Sequence, residues 1–60
     1  MNDIQYYVGE IVLVFDKLEE DWYEGRITHI ENEEIFVEYE TTHWYHVDSV
    51  ERRYLKKVKE

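Results

Sequence analysis

The chain has 60 residues, no cysteine, and fifteen acidic against seven basic residues, for a net charge of −8. A chain this short allows one domain, residues 1–60, with a small core that hides only about 60% of the surface exposed on unfolding, and without cysteine no disulfide framework or thiolate metal site reinforces it. No apolar run approaches the roughly 20 residues of a membrane span, and Met1-Asn2-Asp3 lacks the basic and apolar regions of a secretory signal, so the expectation is a soluble intracellular protein with no membrane partner, nuclear if eukaryotic.

From Val8 to Phe15 the run Val-Gly-Glu-Ile-Val-Leu-Val-Phe is β-branched and aromatic, the composition of a strand partly covered on both faces, with Gly9 at its opening bend. Asp16 to Asp21 has no apolar periodicity beyond Leu18 and reads as an exposed hairpin loop. In the second strand, Trp22 to Ile30, the two-residue period puts Tyr23, Gly25 and Ile27 on one face and Trp22, Glu24, Arg26, Thr28 and Ile30 on the other. Gly25 lets a neighbouring backbone or ring approach closely.

Glu31-Asn32-Glu33-Glu34 is a polar turn. Beyond it Ile35, Val37 and Tyr39 alternate with Phe36, Glu38 and Glu40 in a half-buried strand. Thr41-Thr42-His43 connects to a fourth strand, Trp44 to Val47, with Tyr45 and Val47 on one side and Trp44 and His46 on the other. Asp48 and Glu51 have the spacing of a capping box, and Val50, Tyr54 and Val58 recur every four residues, so a short C-terminal helical turn or helix is expected. Tyr54 to Val58 also alternates as a fifth strand does, and both readings stand. Four or five short strands joined by hairpins imply an all-β antiparallel meander closed into a small barrel, over about residues 7–50, with a basic tail over 51–60.

Charge divides along the chain. Residues 1–51 hold fourteen acids against Lys17 and Arg26, a charge of −12, while residues 52–60 hold five bases against Glu60, a charge of +4. The acidic body repels phosphates, so no nucleic-acid partner is expected except through the tail. Aromatic rings beside carboxylates favour cations, because ring faces carry negative potential. Asp21-Trp22-Tyr23-Glu24, Phe36 to Glu40 and Trp44-Tyr45 all pair the two, which points to a basic peptide or protein as partner. The alternative is that the rings fill the interior and the acids keep a small domain in solution.

These segments resemble a Tudor or chromo-barrel domain of the SH3-like barrel class. Val8 to Val14 is similar to that family's first strand, Trp22 to Ile27 to its second, Ile35 to Glu40 to its third, and Trp44 to Val50 to its fourth strand and following turn. The resemblance implies a non-enzymatic reader of methylated lysine, less often methylarginine, in a basic, histone-like tail. Its aromatic cage falls on Phe15, Tyr23, Tyr39 and either Trp44 or Tyr45, with Glu40 as the acidic partner. A methylated ammonium is larger and less hydrated than a free one, and each ring contact contributes about 0.5–2 kcal/mol.

Three other readings compete. Glu20-Asp21-Trp22-Tyr23 also looks like the tryptophan region of SH3 domains, which dock proline-rich ligands; the acidity suits an inhibitor that mimics nucleic acid; and the barrel could be a structural subunit. His43 and His46 point to opposite faces if both lie on a strand, so no metal site is expected. There is no serine nucleophile with a base, no phosphate loop and no cofactor fingerprint, which argues against an enzyme and against a bound cofactor.

Overall fold

In a computed structural model, which describes residues 4–58, the chain forms five strands: β1 Ile11–Asp16, β2 Asp21–Glu31, β3 Glu34–Glu40, β4 Tyr45–Val50 and β5 Leu55–Lys57. They make one antiparallel sheet of order β4-β3-β2-β1-β5. The meander is as expected, but β4 and β5 remain the two edges and do not pair, so the sheet is not a hydrogen-bonded closed barrel. No helix among the described residues is long and apolar enough to cross a membrane.

The C-terminal helix shrinks to one 3-10 turn, Arg52–Tyr54, and the chain then returns beside β1 as β5. Glu51 sits at the N-cap without a side-chain cap bond, so the Asp48/Glu51 spacing caps nothing. Pairing with Val14 brings Leu55 into the core, and that burial outweighs a helical continuation. Lys59 and Glu60 of the tail lie outside the described residues.

Alternation decides what is buried. Val12 and Val14 of β1, Ile27 of β2 and Val37 of β3 are fully enclosed, each contributing about 1.5–3 kcal/mol. Ile35, Leu55 and Tyr6 complete the core, and Tyr39 and Val50 pack against it. Gly25 lies opposite Val12 on one side and Tyr39 on the other, with the main-chain carbonyl of Glu38 where a Cβ would stand.

One face assignment changes. The register slips between Ile27 and His29, a bulge at Thr28, so that His29 lies opposite Phe36 and Ile30 opposite Ile35. Thr28 donates its hydroxyl to the carbonyl of Phe36. The extra residue turns Ile30 to the core side of the sheet, away from Trp22, and stacks the His29 ring on Phe36 at 4.2 Å. Beyond the bulge, Asn32 and Glu33 form a two-residue hairpin loop, both with positive φ (51° and 67°).

The basic tail is bound to the chain's own rings. Lys56 lies 4.2 Å over Trp22, Lys57 4.7 Å and Arg52 5.5 Å over Tyr6, and Arg53 5.1 Å over Tyr54. Lys57 also donates to Glu10 and to the carbonyl of Gln5.

Candidate functional site

The β1–β2 connection is fixed by Asp16, only 5% exposed. One carboxylate oxygen accepts the Glu19 amide at 2.9 Å, and the other accepts the Tyr39 hydroxyl at 2.8 Å. The Glu19 amide, with smaller help from the Tyr39 hydroxyl and His46, holds the Asp16 carboxyl below its ordinary value against the opposing effect of burial. Burial first, then the neighbouring Asp16 carboxylate, pushes the Tyr39 hydroxyl well above its ordinary value. At neutral pH the pair is therefore a buried anion and a neutral donor.

The His46 ring stacks on Tyr39 at 4.9 Å, with its nitrogens 3.7 Å from Asp16 and 3.8 Å from Asp48. Tyr23 flanks Tyr39 from the β2 side at 6.5 Å between ring centres. All of these project from the core face, at the end of the sheet nearest the β1–β2 turn.

An open cleft of about 380 Å³ runs between the end of β1 and the end of β4. The aromatic residues lining it are Phe15, Tyr39 and Tyr54, with Phe15 coming from the face of β1 opposite to that of Val14, Asp16 and Tyr39, and the acids are Asp16, Asp48 and Glu51. Phe15 and Tyr54 lie nearly parallel, 6.1 Å apart, because the 3-10 turn carries Tyr54 back over β1. Lys17 places its ammonium 5.1 Å over the Tyr54 ring, which Arg53 also approaches at 5.1 Å, so one of these rings already holds two cations of the same chain.

The five rings expected at the cage divide into three groups. Phe15 and Tyr39 share the cleft. Tyr23 supports Tyr39 without lining it. Trp44 and Tyr45 stand apart, 65% and 64% exposed, beside the β3–β4 turn, where Tyr45 donates its hydroxyl to Glu38 at 2.7 Å. That bond holds the Glu38 carboxyl low and the Tyr45 hydroxyl high. Glu40 lies opposite Tyr45 on the outer face, with Glu38 and Arg26, and faces away from Tyr39. Phe15 also meets Trp22 edge-on at 5.4 Å.

Sequence reasoning missed Tyr54, Asp16 and Asp48. Alternation does put Asp16 and Asp48 on the Tyr39 face, since Val12-Val14-Asp16 and Asp48-Val50 are in phase with buried residues. Tyr54 had no such signal, because its position depends on the path of the turn. His43 pairs with Glu19 at 3.1 Å, apart from His46, and no group of three metal-ligating side chains gathers among the described residues.

Neither protein-family models, nor curated proteins, nor solved structures include a match to this chain.

Proposed function

We propose that the chain is a non-enzymatic binding module of the SH3-like barrel class, in its partly open form, and that it takes a methylated lysine side chain of a basic peptide into the cleft. The observation that carries this reading is the meeting of Phe15, Tyr39 and Tyr54 with Asp16, Asp48 and Glu51 around one open hollow. The architecture is supported by the return of β5 to β1 through a single 3-10 turn and by the long, bulged β2. Phe15 and Tyr54 suit an alkylated ammonium, whose desolvation cost is low, Tyr39 stands beside them with its own faces stacked by His46 and Tyr23, and the carboxylates add charge attraction.

Lys17 and Arg53 are built-in competitors for the Tyr54 ring, so an incoming cation displaces a cation of the same chain rather than entering an empty ring site. Affinity is then modest, on the order of micromolar to millimolar for a short peptide. The SH3-like alternative needs an accessible Trp22, and here that ring is flanked by Phe15 and covered by Lys56.

Calorimetric titration with basic histone-tail peptides, unmodified and trimethylated at one lysine, tests the reading. Preference for the trimethylated form, lost in Tyr54→Ala and in Asp48→Asn, is expected. Equal binding of both forms, or none, refutes it.

A further inference from the structure

The two edges of the sheet are not equivalent. At one edge β5 has only three residues, while β4 at the other presents six, paired on a single side with β3. The Thr41 amide donates to the Trp44 carbonyl at 2.7 Å, which makes Thr41 and Trp44 a hydrogen-bonded pair closing the β3–β4 hairpin. In an antiparallel ladder bonded and non-bonded pairs alternate. With Tyr39 opposite His46, Val37 opposite Asp48 and Ile35 opposite Val50, those three β4 residues turn their amides and carbonyls toward β3. Tyr45, Val47 and Ser49 turn theirs outward, to the free edge.

That edge has none of the usual guards, neither lysine nor proline nor bulge, apart from the inward-facing His46 and Asp48. Its second half borders the cleft through Asp48, Ser49 and Val50. We propose that the free edge of β4 accepts an extended basic segment of a partner as a sixth strand, paired to the main chain of Tyr45, Val47 and Ser49. The occupant follows from charge. Asp48 and Glu51 lie along the path, and the chain carries −8 overall, which opposes a second copy of itself at the same edge.

A strand laid there sends every second side chain toward the core face. Cations two residues apart therefore point together toward the cleft and Asp48, so the segment recognised has basic residues at i and i+2. The proposal shares the basic partner of the proposed function, but the pairing itself uses only main-chain groups and does not depend on methylation.

Amide hydrogen exchange by NMR, with the trimethylated histone-tail peptide as probe, tests it. Protection is expected to rise at Tyr45, Val47 and Ser49 and to change little at His46, Asp48 and Val50, which are already bonded. The same peptide N-methylated at alternate backbone nitrogens, in the register that faces the edge, binds about tenfold or more weaker. The edge proposal is overturned if the three amides stay unprotected, whether the peptide binds elsewhere or not at all, or if they become protected without peptide as protein concentration rises. Protection with equal affinity for both methylation states keeps the edge and removes the ring site; methyl preference without protection does the reverse.

Discussion

Replacing Gly25 by alanine probes the tightest point of the sheet. A Cβ there would lie 2.8 Å from the Glu38 carbonyl oxygen, 2.9 Å from Tyr39 Cβ and 2.9 Å from Val37 Cγ1, all well inside the 3.4 Å at which ordinary contact begins. Two of these atoms are fixed to the β3 backbone, so no side-chain rotation relieves the clash and β2 and β3 must separate. Overpacking of this kind costs about 1–3 kcal/mol, while the stiffer unfolded chain returns about 0.4–1 kcal/mol. The net loss is about 1–2 kcal/mol, a large share of the 3–5 kcal/mol that a core this small rarely exceeds. At about 4–8 °C per kcal/mol for a domain of this size, Tm falls by about 5–15 °C. A circular dichroism melt measures it, and urea unfolding should show a lower midpoint at unchanged slope. An unchanged or higher Tm refutes the close approach of Glu38 and Tyr39 on which the placement of the Tyr39 ring depends.

Other perturbations have distinct signatures. Ile27→Ala, at a fully enclosed side chain, should cost about 2–5 kcal/mol and leave little folded protein, whereas Trp44→Ala, at a ring 65% exposed, should move stability by no more than about 0.5 kcal/mol in the same melts. Glu33→Gly removes a non-glycine residue from φ 67° in the hairpin loop and should raise Tm by the equivalent of about 0.5–1 kcal/mol, a gain that disappears if the loop has another geometry. The carboxyls of Asp16, Glu10 and Glu38 are held below their ordinary values (3.8 for Asp16, 4.5 for the others), by the Glu19 amide, Lys57 and the Tyr45 hydroxyl respectively. A carboxyl lowered on folding contributes stability that is complete above its ordinary value and is lost as pH falls through the lowered one. The Tyr39 and Tyr45 hydroxyls are raised from 10.0, so their contribution is complete below pH 10 and is lost as pH climbs beyond it. Tm plotted against pH should therefore form a plateau that falls on both sides, with Glu38 and Tyr45 contributing little because solvent screens them. Tyr39→Phe, which leaves a buried carboxylate oxygen without its donor, should lower the plateau by about 1–3 kcal/mol and flatten the alkaline limb. A Tm that rises on acidification would mean that relief of the −8 self-repulsion outweighs these local contacts.

The strands were legible because β1 is a continuous β-branched and aromatic run and the second and third strands alternate over four residues or more. Gly25/Ile27 and Ile35/Val37/Tyr39 lie where the two-residue period puts them. The bulge at Thr28 was not legible, since Trp22 to Ile30 keeps a plausible alternation straight through it, and only cross-strand pairing of Ile30 with Ile35 reveals the extra residue. Nor was the tail, where Val50, Tyr54 and Val58 fit a helix while Leu55 and Lys57 fit a strand, and burial of Leu55 against Val14 decided between them. For the candidate site, the residue types were readable but their grouping was not. Parity alone separates Glu40 from Tyr39, and it could have exchanged Glu40 for Asp48. The presence of Tyr54 required knowing that the chain turns back over Phe15.

The account turns on the cleft between β1 and β4 accepting an alkylated cation. Ring-proton NMR of Phe15, Tyr39 and Tyr54 during titration with a trimethyllysine peptide tests this most directly. Saturable upfield displacement of the N-methyl signal, with shifts at those three rings and much smaller ones at Trp22 and Trp44, is the predicted result. Shifts confined to Trp44 and Tyr45, or no response that distinguishes trimethylated from unmodified lysine, would contradict it.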